Sequence, residues 1–225
     1  MKDKANVLVT GFGQDSKEAA KLFEINSKER GIPLFVVDPL KSIRGHPILF
    51  ILLLLFKDHF FAIREIAKQF EELKGIEIQT LYAYSYGVVS VLVPLVNAKR
   101  YVFIAPPLGE VKHKRLERIF FFSPGMVELR KGKLQKRLLM AIKVLKENGK
   151  EVCIVVSLLR GNNDYGDECT SYSPIVMEEM IKVSHKIWVL PFTHKEYMYE
   201  KNGVNAIFNL VCNEEIEENL FFLYL

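Results

Sequence analysis

The sequence predicts an α/β fold in which a mostly parallel central sheet carries helices on both faces. Short apolar runs, many of them rich in β-branched residues, alternate with longer amphipathic stretches along the chain. Apolar runs without polar alternation are typical of parallel strands that are buried on both sides. With 225 residues, 49% of them hydrophobic and 26% charged, the chain has the composition of a globular protein. We expect a single domain over residues 1–225.

The individual elements follow from local patterns. In chain order, the predicted strands are Asn6–Thr10, Leu34–Val37, Ile76–Tyr82, Tyr101–Ala105, Cys153–Leu158 and Lys186–Leu190. The predicted helices are Asp15–Arg30, Phe60–Lys74, Val88–Val96, Ile175–Val183 and a last helical region from about Val204. Gly31 and Gly75 stand where the first two helices should end, because glycine readily adopts the left-handed backbone of a helix terminus. Ser173 and Pro174 are typical of a helix start.

Residues 108–150 interrupt this alternation with mostly helical, basic sequence. An insertion between two strands predicts a helical cap over a cleft, and Phe120, Phe121 and Phe122 within it could line an apolar acyl site or belong to the core. The basic residues favour a solvated helical face. Because no aromatic-interleaved basic motif accompanies them, we expect no nucleic-acid partner.

One turn in the chain carries a pattern typical of chemistry. The strand-like run from Ile76 leads into Ala83-Tyr84-Ser85-Tyr86-Gly87, and an apolar run follows at once. A serine with a small residue two positions before it and a glycine two positions after it, in a turn between a strand and a helix, is the sequence form of a nucleophile elbow. The strained turn lifts the serine hydroxyl above the sheet. A serine in an ordinary turn is the alternative interpretation.

A serine nucleophile needs a base, and two polar groups follow later strands. Asp164 lies in the loop after the Cys153–Leu158 strand, and His194 lies just after the last strand. Functional groups collect at the carboxyl ends of parallel strands. Asp167 and Glu168 are alternatives to Asp164. His185 is an alternative to His194, but it precedes its strand and should lie on the opposite side of the sheet.

With Ser85, Asp164 and His194 in this order, nearly the whole chain resembles the α/β-hydrolase family, whose order is nucleophile, acid, histidine. The resemblance implies a serine hydrolase, of the esterase or thioesterase kind, that acts on a small acyl substrate. Ser85 would be the nucleophile, His194 the base and Asp164 the acid that orients it. The oxyanion hole would use the backbone N–H groups of Tyr86 and Phe12. Thr10-Gly11 departs from the His-Gly that the family often has before that second donor.

Two other functions remain open. Gly11-Phe12-Gly13 after the first strand, with Asp38 after the second, resembles a dinucleotide-binding start, although the third glycine of that motif is missing. This interpretation predicts an oxidoreductase or transferase. The other possibility is a hydrolase-like fold without catalysis, used for binding.

The cysteines, the histidines and the longest apolar run indicate which cofactors and which cellular location to expect. Cys153, Cys169 and Cys212 are few and odd in number, which favours reduced thiols and a cytoplasmic protein. Neither these cysteines nor the histidines have a metal-like spacing, so we expect no metal and no cofactor. The longest apolar run, residues 48–56, is shorter than the ~20 residues of a membrane-spanning helix. No signal-peptide pattern opens the sequence.

Overall fold

A computed structural model describes residues 3–11, 16–42, 59–111, 132–158, 165–167 and 169–212. Its strands, in chain order, are β1 (Lys4–Val9), β2 (Leu34–Val37), β3 (Glu77–Tyr84), β4 (Ala98–Ile104), β5 (Glu110–Val111), β6 (Glu151–Ser157), β7 (Tyr165–Gly166), β8 (Thr170–Tyr172) and β9 (Lys186–Leu190). Six of them form one parallel sheet in the order β2-β1-β3-β4-β6-β9. The predicted α/β fold is therefore confirmed.

Helices cover both faces of this sheet. They are α1 (Ser16–Glu29), α2 (Phe60–Glu71), a 3₁₀ helix (Ser85–Leu92), α3 (Lys133–Glu147), α4 (Pro174–Val183), α5 (Glu196–Tyr199) and α6 (Lys201–Cys212). One core lies between the sheet and α2, α3 and α4, and the other lies between the sheet and α1, α5 and α6. None of the helices in the described part of the chain combines the length and apolar character of a membrane span.

The apolar character of the strands follows from this arrangement. In β3, Leu81 and Ala83 point into the core that holds Ile66 of α2, whereas Tyr82 and Tyr84 point into the core on the α1 side. All four β3 side chains are buried. Because both faces of the strand are covered, no position is left for the polar half of an alternating pattern.

The described part of residues 108–150 includes helix α3, which packs against the main sheet. Leu134, Leu138 and Ile142 of α3 are fully buried and pack into the core of the main sheet. Helix α3 is therefore one layer of the main fold, and the cap expected over residues 108–150 stays a prediction. Residues 112–131, with Phe120–Phe122, lie outside the described residues. The prediction of a single domain over residues 1–225 stays a prediction.

The segment after Ser85 differs from the helix expected over Val88–Val96. The structure has a 3₁₀ helix from Ser85 to Leu92, and the chain is extended again at Val93. Most residues of this run are valine or serine. Branched side chains lose rotamer freedom in a helix, and serine competes for backbone hydrogen bonds. The run therefore has a low intrinsic propensity to form a longer α-helix.

A second, smaller sheet was not expected from the sequence. Strands β5, β8 and β7 pair antiparallel in that order, and Tyr165 forms a bridge with Leu158 just after β6. The Tyr172 hydroxyl on β8 donates a 2.7 Å hydrogen bond to the carbonyl of Pro106, which follows β4. The small sheet is thereby fixed to the carboxyl edge of β4 and β6.

Candidate active site

Ser85 lies at a strained turn between β3 and the 3₁₀ helix. Its φ of 51° lies in the left-handed region, which among the described non-glycine residues is also adopted by Ala105. A left-handed backbone costs a non-glycine residue about 1–2 kcal/mol, and such strain persists only where the surrounding structure enforces it. The strain and the position at the carboxyl end of a central strand are those of a nucleophile elbow.

Two glycines allow the elbow to approach the end of β1. A Cβ on Gly87 would lie 2.4 Å from the carbonyl oxygen of Val9 and 2.8 Å from that of Thr10. A Cβ on Gly11 would lie 3.1 Å from the Cβ of Ser85. The chain after β1 therefore passes directly beside Ser85, where a loop must pass if it supplies an oxyanion donor. Phe12, the expected donor, lies outside the described residues.

The backbone N–H of Tyr86 directly follows Ser85 in the first turn of the 3₁₀ helix. The first N–H groups of a helix have no partner within it, which suits the expected role of this group in an oxyanion hole. The Tyr86 hydroxyl lies 2.7 Å from Nδ1 of His59, which is located just before α2. That contact links the Tyr86 side chain to the start of α2 and does not involve the Tyr86 backbone.

His194 forms a close pair with a carboxylate, and that carboxylate belongs to Asp167. Nδ1 of His194 and Oδ2 of Asp167 are 2.7 Å apart. The Asp167 side chain is 1% exposed and that of His194 is 10% exposed. A buried charged acceptor strengthens this hydrogen bond and fixes the orientation of the imidazole ring. His185, the alternative histidine, lies at the other end of β9, where its Nδ1 accepts from the backbone N–H of Val152.

Asp167 is held rigidly in the turn between β7 and β8. Its Oδ1 accepts hydrogen bonds from the backbone N–H groups of Cys169, at 2.7 Å, and Thr170, at 2.8 Å. Its own N–H donates to the Thr170 carbonyl at 2.8 Å. One carboxylate oxygen thus holds the turn, and the other faces His194.

The sequence favoured Asp164 as the acid because it is nearer to the end of β6. Asp164 lies outside the described residues, as does Glu168. The bridge between Leu158 and Tyr165 brings the chain back beside β6 at Tyr165. Separation along the chain from the strand end is therefore a poor measure of distance from the site, and the acid in contact with His194 is Asp167.

The loop that carries His194 is fixed from two sides. Oε2 of Glu196 accepts a hydrogen bond from the Thr193 N–H, and the Thr193 hydroxyl accepts one from the Glu196 N–H. This reciprocal pair has the form of a capping box. On the other side, the Tyr84 hydroxyl donates a 2.5 Å hydrogen bond to the His194 carbonyl, and the two rings are 4.9 Å apart. Since Tyr84 directly precedes Ser85, the histidine loop is bound to the elbow strand itself.

The structure does not favour the dinucleotide-binding alternative. Oδ1 of Asp38, the proposed ribose ligand, accepts a 2.9 Å hydrogen bond from the Leu40 N–H in the turn after β2, and Asp38 is buried. The space in front of Gly11 is filled by Tyr84 and Ser85. In the dinucleotide motif, the pyrophosphate approaches the backbone at these glycines.

Comparison with known structures supports the fold. An alpha/beta-superfamily protein assigned as a hydrolase, from Xanthomonas campestris pv. campestris, aligns with 93% of this chain and 98% of its own, with a TM-score of 0.51 and 13% sequence identity. An uncharacterized protein from Bacillus cereus ATCC 10987 aligns with 93% of this chain and 60% of its own, with a TM-score of 0.53 and 9% identity. Carboxyl esterase 2 from Tuber melanosporum aligns with a TM-score of 0.46, 14% identity, and coverage of 93% of this chain and 76% of its own. No family model and no curated protein sequence matches the chain.

At these identities the likeness shows the fold. The chain shares the α/β fold of the Xanthomonas campestris protein, and in it Ser85 follows β3, Asp167 lies after β6 and His194 follows β9. Sequence reasoning missed two residues of this site, Tyr84 and Cys169. No local pattern indicates Tyr84, because its partner is distant in the chain. The Thr193-to-Glu196 spacing is a recognisable capping signal for the His194 loop.

Proposed function

We propose that the protein is a serine hydrolase that cleaves an ester, a thioester or a related acyl substrate. The observation that carries the proposal is the strained Ser85 elbow, whose preceding residue Tyr84 is hydrogen-bonded to the loop of a buried His194–Asp167 pair. Ser85 is the nucleophile, His194 the general base and Asp167 the acid that orients it. Asp167 thus takes the role that the sequence favoured for Asp164.

Acylation begins when the hydroxyl of Ser85 attacks the substrate carbonyl. Nε2 of His194 accepts the hydroxyl proton, because its Nδ1–H is donated to Oδ2 of Asp167. The carboxylate fixes this tautomer and stabilises the imidazolium that forms. His194 then gives the proton to the leaving alcohol or thiol, and the acyl group remains on Ser85.

The negative charge that develops on the substrate oxygen needs fixed donors. The Tyr86 N–H supplies one, and the Phe12 N–H supplies the second from the chain that passes beside Ser85 at Gly11. In such sites, loss of one donor lowers turnover by about 10²–10³-fold. Water then attacks the acyl-enzyme, with His194 again as the base, and the acid is released.

Hydrolysis of short p-nitrophenyl esters tests the proposal. The Ser85→Ala variant should lose turnover, because it lacks the hydroxyl that attacks the substrate carbonyl and carries the acyl group. Ser90→Ala is a matched control in the same 3₁₀ helix. Its hydroxyl is buried and has no hydrogen-bond partner among the described residues, so its removal should leave both turnover and folding intact. Wild-type turnover in Ser85→Ala would remove this serine from the mechanism.

A further inference from the structure

Cys169 is a thiol in the site that the proposed reaction does not use. It follows Asp167 by two residues, and its backbone N–H is bound to Oδ1 of that carboxylate. The Cys169 sulfur, a carboxylate oxygen of Asp167 and a ring nitrogen of His194 all lie within 4.8 Å of one another. Cys169 is partly exposed, whereas the other two residues are buried. The three side chains therefore form one cluster, and Cys169 is its most exposed member.

Thiolate, imidazole and carboxylate together are a typical donor set for zinc. Zinc bonds are about 2.3 Å to sulfur and about 2.0–2.2 Å to nitrogen or oxygen, in a tetrahedron whose fourth position can hold water. Ligand atoms on such a tetrahedron are roughly 3.2–3.7 Å apart. The 2.7 Å Asp167–His194 separation would have to open by about half an ångström, and the sulfur would have to approach by about one.

The turn that holds Asp167 and Cys169 makes these movements feasible. Oδ1 of Asp167 holds the turn through two backbone N–H groups, so Oδ2 can exchange its histidine partner for a metal without loss of those bonds. The Cys169 side chain has one rotatable bond between Cα and Cβ, and the residue is partly exposed. Soft thiolate and imidazole ligands favour zinc over magnesium or calcium, which prefer oxygen ligands.

We propose that Asp167, Cys169 and His194 bind Zn²⁺, and that the bound metal switches the hydrolase off. The Cys169 thiol loses its proton to solvent on binding. Metal on Nδ1 of His194 moves the ring proton to Nε2, and metal on Nε2 occupies that atom. In both cases Nε2 can no longer accept the proton of Ser85. The metal site is inferred from the three clustered side chains, and only its inhibitory effect depends on the proposed function.

Metal binding is measured first, without substrate. Titration calorimetry of the metal-free protein should show about one Zn²⁺ per chain and no binding of Mg²⁺. Cobalt added in place of zinc should give the absorption band of a cobalt–thiolate bond. Cys169→Ser should lose that band and weaken zinc binding by at least about tenfold. Cys212→Ser changes an exposed thiol at the end of α6 and should keep both.

The second measurement compares each variant's ester hydrolysis with and without zinc. Zinc should inhibit wild type and Cys212→Ser reversibly, with a chelator restoring the rate, and it should inhibit Cys169→Ser at least about tenfold less effectively. No zinc binding by wild type, or equal binding by Cys169→Ser, would overturn the metal site. Zinc binding through Cys169 in a protein that hydrolyses no ester would support the metal site and count against the proposed function alone.

Discussion

Substitution of Asp167 by asparagine changes the charge of one side chain and keeps the turn that holds it. The amide oxygen can still accept the backbone N–H groups of Cys169 and Thr170, which lie 2.7 and 2.8 Å from Oδ1 in the wild-type protein. The amide NH₂ then takes the position of Oδ2, which lies 2.7 Å from Nδ1 of His194 in the wild-type protein. Because that group donates, Nδ1 must accept, and the imidazole proton moves to Nε2. His194 can no longer take the proton of Ser85.

The loss can be estimated from the chemistry of such triads. A wrong histidine tautomer lowers kcat by about 10⁴-fold in a serine protease, which corresponds to about 5.5 kcal/mol of activation free energy at about 1.36 kcal/mol per tenfold change. We expect a loss of this order for Asp167→Asn, with KM nearly unchanged because the carboxylate faces His194 and not the substrate. Steady-state hydrolysis of a p-nitrophenyl ester measures both constants.

Asp164→Asn is the matched comparison, because it makes the same chemical change three positions earlier. It should keep turnover within about tenfold of wild type, whereas loss of the true acid costs about 10⁴-fold. A thermal melt of both variants checks that the fold is retained. A large loss in Asp164→Asn together with a small one in Asp167→Asn would refute the assignment of the acid.

Three further predictions concern the surroundings of the site. Tyr84→Phe leaves the buried His194 carbonyl without its 2.5 Å donor, so we expect a stability loss of about 1–3 kcal/mol in urea melts and a lower kcat at unchanged KM. Gly87→Ala would place a Cβ 2.4 Å from the Val9 carbonyl oxygen and should lower the free energy of unfolding by about 1–3 kcal/mol or more. A melting temperature equal to that of wild type would contradict the close packing at Gly87. Burial, with a smaller contribution from the charge of Asp167, raises the pKa of Tyr172 well above its ordinary value. The unfolded chain therefore loses this proton first, and Tyr172 should lower stability by up to about 1.4 kcal/mol per pH unit above about pH 10. Burial also raises the pKa of Tyr82 and Tyr101, so the fall should become less steep in Tyr172→Phe without disappearing.

The sequence was most informative about the central strands. Leu34–Val37 and Lys186–Leu190 were predicted with the bounds that the structure has, because strands buried on both faces must be apolar throughout. The elbow could also be predicted, since the tight turn at Ser85 demands small residues two positions before and after it, here Ala83 and Gly87. These features depend on neighbours in the chain, so local patterns reveal them.

Contacts between distant parts of the chain could not be predicted in the same way. The choice of Asp167 depends on the small sheet, whose strands of two or three residues are too short to give a pattern. The role of α3 as a core layer depends on which of its faces is buried against the sheet, and an interruption of the strand–helix alternation does not reveal that. The hydrogen bond from the Tyr84 hydroxyl to the His194 carbonyl joins residues 110 positions apart, so no local pattern indicates it.

Labelling with a fluorophosphonate tests the central claim most directly, because the reagent reacts with a serine that an adjacent histidine activates. The wild-type protein should gain about one adduct per chain, located by mass spectrometry on the peptide with Ser85. Ser85→Ala should gain none, and Asp167→Asn should react far more slowly. A folded wild-type protein that stays unlabelled, or an adduct on a different residue, would contradict the claim that Ser85, His194 and Asp167 act as a catalytic unit.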